Sequence, residues 1–199
     1  MKRLYDMDLS GNCYKVRLLL GFLDLAYEKL PVDLTRGDNR TSSFLALNPR
    51  GEVPVLIDND TVIWDSSAIL VYLATNAADK RWYPDDALIR ARIVQWMAVA
   101  GHEIQYGLAA ARAVKLFGRT GDLPQLQEIG RRALALLDEQ LHKTHWLAGT
   151  DPTIADIACY PYVRCAEDGG ISLAPYTNIQ HWFERLEALP GYRPMADTA

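Results

Sequence analysis

The chain reads as an α/β module followed by an all-helical module, and three features of its 199 residues carry that expectation. Short apolar runs suited to strands occur at residues 2–7, 27–33, 53–57 and 61–64, and none recurs after about residue 80. A helix-period stretch separates the first two runs, so strand, helix and strand form a βαβ unit whose right-handed crossover makes the strands parallel. From Asp85 onward only long 3.6-residue patterns remain.

The first strand ends at Asp8-Leu9-Ser10-Gly11-Asn12, a run of turn formers. Cys13, Val16, Leu20 and Leu23 then recur at helical spacing while Lys15, Arg17 and Asp24 lie off that stripe, which predicts an amphipathic helix to about Ala26. After the second strand come a polar loop at 35–40 and a short helix from Thr41 to Leu47, closed by Asn48-Pro49. The runs at 53–57 and 61–64 are joined by Asn59-Asp60, a tight hairpin signal. Pro54 is the anomaly. It has no N–H to give a ladder, so it belongs at an edge, a strand start or a cis turn. A cis Val53-Pro54 bond would turn the Val53 N–H and C=O outward, where a short peptide docks as an added strand. Asp65-Ser66 opens a helix to about Asn76, with free N–H groups and a hydroxyl suited to an anion. The stretch thus offers two halves of a peptide–carboxylate site, against the plainer alternative of a hairpin followed by an ordinary N-cap.

Residues 78–84 read as a linker, and 85–199 as the helical domain. A long helix over 85–117 is expected to kink near Gly101 or Gly107, since an interior glycine costs about 1 kcal/mol relative to alanine. Pro124 sits where a first helical turn tolerates it, and Leu126, Ile129, Ala133, Leu137 and Leu141 trace the next helix. Helices over about 153–167 and 178–188 follow, the first opened by a capping box of Thr153 and Asp156 with Asp in place of Glu.

A formal charge of −4 and a pI near 5.6 supply no global field for nucleic acid or an anionic membrane. The N-terminus lacks the apolar run of a secretory signal, and no stretch of about 18 apolar residues exists to span a bilayer, so the expectation is a soluble cytoplasmic protein. Cys13, Cys159 and Cys165 are odd in number and widely spaced, which argues against a disulfide framework. The N-x-T sequons at Asn39 and Asn59 are then chance matches. His142 and His145 have no companion ligands, so no metal is expected.

Ser10-Gly11-Asn12-Cys13 at the first strand-to-helix turn, Val53-Pro54 before Asp65-Ser66, and Gly149…Thr153…Asp156 in the helical module share order and spacing with one family. In this the chain resembles the cytosolic glutathione transferases, in particular bacterial members of theta-, zeta- or nu-like serine type, and the likeness covers essentially its whole length. The resemblance implies a thioredoxin-like N-terminal domain over 1–77, an all-α C-terminal domain and usually a homodimer. It also implies glutathione as co-substrate, conjugated to small hydrophobic electrophiles in a detoxification reaction. Residue by residue, Val53 with cis Pro54 matches the main-chain site for the cysteinyl part of glutathione, and Asp65 with Ser66 the acid–Ser pair for its γ-glutamyl end. Arg40 and Arg50, with Asn39 behind them, are candidates for the glycine carboxylate, since Gly51 stands where several classes carry Lys or His. Ser10 matches the hydroxyl that faces the sulfur in theta- and zeta-like members, and Asn12 the amide of nu-like ones; Ser10 is favoured with Asn12 assisting.

A thiol that ordinarily titrates near 8.5 needs such a donor to ionise at neutral pH. The alternative reading of Ser10 is a plain N-cap. Cys13 is the rival nucleophile, as Ser10-x-x-Cys13 looks like a redox Cys-x-x-Cys without its first sulfur, but its place on the apolar stripe argues for burial. Glutathione-dependent disulfide or peroxide reduction and a non-catalytic binding module are the remaining alternatives. Trp96, His102, Tyr106 and Arg112 are considered as walls for the second substrate, although helix core or solvated face suits each of them better.

Overall fold

Strand β1 (Lys2–Asp6) lies inside a four-stranded sheet of order β2-β1-β3-β4 in the computed structural model, which describes residues 1–195. β2 (Tyr27–Pro31) runs parallel to β1 with Lys2 opposite Tyr27, as the crossover rule requires. β3 (Val55–Asp58) runs antiparallel to β1 with Leu4 opposite Leu56, and β4 (Thr61–Trp64) antiparallel to β3. The hairpin turns at Asn59, whose φ of 53° is a left-handed conformation that asparagine tolerates. The strand begins at Val55 rather than Val53, because Pro54 has no N–H for the ladder.

Helices α1 (Gly11–Phe22) and α3 (Ser66–Asn76) follow β1 and β4, which point the same way in the sheet, so both helices start at one end of it and run parallel. α2 (Ser42–Leu47) begins after Thr41, whose hydroxyl accepts from the Phe44 N–H. The amphipathic stripe expected of α1 is replaced by burial on most of its surface. Tyr14, Leu18 and Leu19 are buried together with the expected Cys13, Val16 and Leu20, and Lys15 is only 3% exposed. The helix stops at Phe22 instead of Ala26, and Asp24 follows at φ 50°.

The chain divides into two units, residues 1–79 with the tail from Pro190, and Lys80–Leu189. The expected helical domain over 85–199 therefore gives its described end, 190–195, to the first unit. There the tail crosses α1, where a Cβ on Gly21 would stand 2.6 Å from the Gly191 carbonyl, and Tyr14 donates to the Arg193 carbonyl at 2.7 Å. Within the expected linker, Lys80–Trp82 form a 3-10 turn and Trp82 is buried.

In the second unit the single long helix expected over 85–117 is three segments: α4 (Ala87–Val99), a π-helical stretch (Ala100–Ala109) and α5 (Ala110–Phe117). The wider winding contains both glycines expected to disturb the helix. Gly107 has a packing reason, since a Cβ there would stand 2.5 Å from the Gly130 nitrogen of α6 (Leu123–Lys143). α7 (Ile154–Arg164) and α8 (Thr177–Glu187) complete the unit, with Tyr160, Trp182 and Phe183 in edge-on and tilted ring contacts between them. Among the described residues no helix is long and apolar enough to cross a membrane.

The expected capping box is present. Asp156 is fully buried and accepts from Thr153 N at 2.9 Å, Thr153 Oγ1 at 3.3 Å, Leu147 N at 3.0 Å and Trp182 Nε1 at 3.0 Å. Burial pushes its carboxyl up to about 6 while the four donors pull it down.

Candidate functional site

Turn formers after β1 let the chain reverse into α1, and Ser10 is the N-cap: its Oγ accepts from the Cys13 N–H at 3.2 Å. The plain N-cap reading of Ser10 is therefore realised. A hydroxyl has two lone pairs and one hydrogen, so capping occupies an acceptor and leaves the O–H able to donate elsewhere. Asn12, the second residue of α1, sits with its Oδ1 3.5 Å from Ser66 Oγ, which links the starts of α1 and α3. Each helix begins with the positive end of its dipole, so the two starts make one region favourable to anions.

Asp65 caps α3, its Oδ1 accepting from Ser67 N at 2.8 Å and Ala68 N at 3.3 Å. Its backbone stands at φ 75°, ψ 126°, a conformation that costs a side-chain-bearing residue about 1–3 kcal/mol and concentrates at functional sites. No signal in the sequence marks that strain. Ser66 is buried beside it.

The Val53-Pro54 bond is cis, and Val53 lies outside the strand pairings, which begin at Val55. Two buried asparagines fasten the loop before it. Asn39 Nδ2 donates to the Gly51 carbonyl at 2.6 Å, and Asn48 Nδ2 to the Glu52 carbonyl at 2.8 Å, while Asn48 Oδ1 accepts from Arg50 N at 3.0 Å. Asn48 escaped sequence reasoning because Asn-Pro reads as a helix stop.

The two candidate arginines differ. Arg50 pairs with Glu52 at 3.0 Å, both exposed, whereas Arg40 Nη1 would lie 2.7 Å from a Cβ built on Gly51. The guanidinium of Arg40 thus fills the space that a side chain at position 51 would take, and Gly51 at φ 64° is the residue that leaves it open.

Cys13 is buried without exposure, and its thiol is pushed up to about 12, chiefly by burial and then by the neighbouring Asp6 charge. It is protonated at neutral pH and is not a nucleophile there. Tyr5 of β1 is partly buried and packs edge-on against Phe44 with ring centroids 5.7 Å apart. Within the second unit Trp96 is buried, Arg112 is buried against Asp168 at 2.8 Å, and His102 and Tyr106 are exposed. Among the described residues no group of three His, Cys, Asp or Glu side chains has a metal-holding arrangement.

Comparison with known proteins follows the same division of the chain. The family model for the glutathione S-transferase N-terminal domain matches residues 4–81 and that for the C-terminal domain residues 117–190. The glutathione S-transferase GstB of Escherichia coli K12 is 32% identical over 204 aligned residues, covering 97% of this chain and 96% of that protein. The disulfide-bond oxidoreductase YfcG of the same organism is 27% identical over 91% of this chain and 88% of its own length. A crystal structure of a glutathione S-transferase from Pseudomonas fluorescens Pf-5 superposes with a TM-score of 0.93 at 36% identity, covering 98% of this chain and 99% of that one.

Proposed function

Because the chain belongs to the glutathione S-transferase family, we propose that it binds glutathione where α1 and α3 begin and transfers its thiolate to small hydrophobic electrophiles. The observation that carries the reading is the 3.5 Å approach of Asn12 to Ser66, with Ser10 two residues before Asn12 at the cap of the same helix, which brings two helix starts together. The γ-glutamyl carboxylate is assigned to the Ser66 hydroxyl and the α3 start, its ammonium to Asp65, the cysteinyl main chain to Val53 beside Pro54, and the glycine carboxylate to Arg40. Arg50 contributes less, since Glu52 already pairs with it.

Ser10 donates its O–H to the sulfur, with Asn12 assisting, and the α1 dipole adds positive potential, so the thiol gives up its proton to solvent more readily. The thiolate then attacks the electrophilic carbon: a C–S bond forms, and a leaving group such as halide departs with the electron pair of its broken bond. We read the protein as cytoplasmic and homodimeric. The dimer reading is supported by exposed apolar side chains, Val62 and Trp64 on edge strand β4 and, separately, Leu88 and Val94 on α4.

Similarity to YfcG favours a second reading, reduction of a disulfide with two glutathiones supplying both sulfurs. Cys13 is buried and protonated, and Ser10 stands where a redox Cys-x-x-Cys has its first sulfur, so in this reading glutathione itself carries the exchange. Calorimetric titration with reduced and oxidised glutathione, followed by conjugation to an aromatic halide, separates the readings. Tight binding of the reduced form with conjugation supports transfer; preference for the oxidised form with poor conjugation supports reduction; no binding of either refutes the site. Ser10→Ala should abolish turnover and largely spare binding.

A further inference from the structure

We propose that Arg17 is a positioning residue for the thiol-activating turn, clamping the main chain at Met7 and Asp8 and so fixing the direction of Ser10. The inference rests on the reading of Ser10 given above. From α1, Arg17 Nη1 donates to Asp6 Oδ1 at 2.5 Å and to the Met7 carbonyl at 3.4 Å, and Nη2 donates to the Asp8 carbonyl at 2.8 Å. The Met7 carbonyl also accepts from the Ser10 N–H at 3.0 Å. One oxygen therefore joins the guanidinium to the residue whose hydroxyl faces the sulfur.

The geometry needs a fork. Three acceptors spread over Asp6, Met7 and Asp8 are spanned by the planar guanidinium, and a single ammonium cannot reach all of them at once. Asp6 anchors the clamp from below. It is fully buried, its Oδ1 takes Arg17, and its Oδ2 has no hydrogen bond among the described residues, facing only the Lys29 ammonium of β2 at 3.8 Å. Lys29 also pairs with Asp8. The β1–α1 turn is thus held to α1 by Arg17 and to β2 by Lys29, while Ser10 is oriented by its main-chain bonds, by the cap bond and by the side chain of Cys13. Because a misplacement of about 1 Å in a reacting group costs on the order of a hundredfold in rate, a looser turn shows in turnover before it shows in affinity.

Arg17→Ala would strand the buried Asp6 charge and risks failure to fold. Arg17→Lys keeps a cation for Asp6 and removes the fork, and the pair Asp6→Asn with Arg17→Met removes both charges. Both are assayed for glutathione affinity, for kcat, and for the pKa of the bound thiol read from its ultraviolet thiolate absorbance. The expected result in either is affinity within about twofold of wild type, a thiol pKa raised by about one unit and kcat about tenfold lower. Unchanged thiol titration and kcat in a folded variant overturn the proposal, and so does an equal fall in affinity and turnover. Ser10→Ala in the same titration distinguishes the failures: if it raises the thiol pKa and Arg17→Lys does not, the clamp alone falls. If wild type binds no glutathione, the reading of the site falls and the clamp with it.

Discussion

Asp156→Asn tests how much one buried carboxylate holds together. In the wild type, Oδ1 accepts from Leu147 N and Trp182 Nε1, and Oδ2 from Thr153 N and Thr153 Oγ1. An amide of the same shape has one acceptor oxygen. Placed to keep Leu147 and Trp182, it turns its NH2 toward the Thr153 N–H, and one buried donor is orphaned at a cost of about 2 kcal/mol. Asp156→Ala orphans three N–H donors, which sums to about 6 kcal/mol, close to the whole stability of many domains. Loss of an ordinary cap costs about 1 kcal/mol, so the excess measures the two donors that come from outside the capping box. Urea unfolding followed by tryptophan fluorescence should show a lower midpoint with an unchanged slope for Asp156→Asn, and little or no folded Asp156→Ala. If Asp156→Ala loses no more than about 1 kcal/mol, the box acts only as a helix cap and the long-range bonds carry no weight.

Three further outcomes follow from the same geometry. Gly107→Ala should destabilise by about 2 kcal/mol because its Cβ meets the α6 main chain, whereas Gly101→Ala, with nothing within 4 Å, should stabilise by about 1 kcal/mol; thermal midpoints moving in the same direction would contradict the packing argument. Arg40→Met should raise KM for glutathione several-fold with kcat unchanged, and Arg50→Met should raise KM by a smaller factor, a contrast that steady-state kinetics reads directly. Native protein treated with a small alkylating reagent at neutral pH should leave Cys13 unmodified, and unfolding should expose all three thiols; rapid labelling of native Cys13 would disprove its burial as the controlling factor.

Much of the candidate site was legible because its parts act over a few residues. A proline inside an apolar run, an Asp-Ser before a helical stripe and a Ser-Gly-Asn after a strand each point to a local backbone event, and cis Pro54, the Asp65 cap and the Ser10 cap are those events. The π-helical winding was half legible: glycine marked the place, but the close approach of Gly130 that makes Gly107 necessary lies on another helix. The amphipathic reading of α1 failed for a related reason. Periodicity assumes one dry face, and a helix covered on most sides buries Lys15 and Tyr14 as well as its stripe.

The sequence by itself determined the elements and their order, because strand alternation, helical period, capping boxes and turn residues are interactions among neighbours within about four positions. Tertiary structure alone decided which groups serve one another across the chain. Asp138 of α6 accepts from the N–H groups of Asn178 and Ile179 and so caps α8, whose own preceding residue, Tyr176, offers no side-chain cap. Arg40 fills the space beside Gly51, and Arg17 ties down the turn that carries Ser10. Each of these needs two distant stretches of chain brought within about 3 Å, a distance that packing sets and local spacing leaves open.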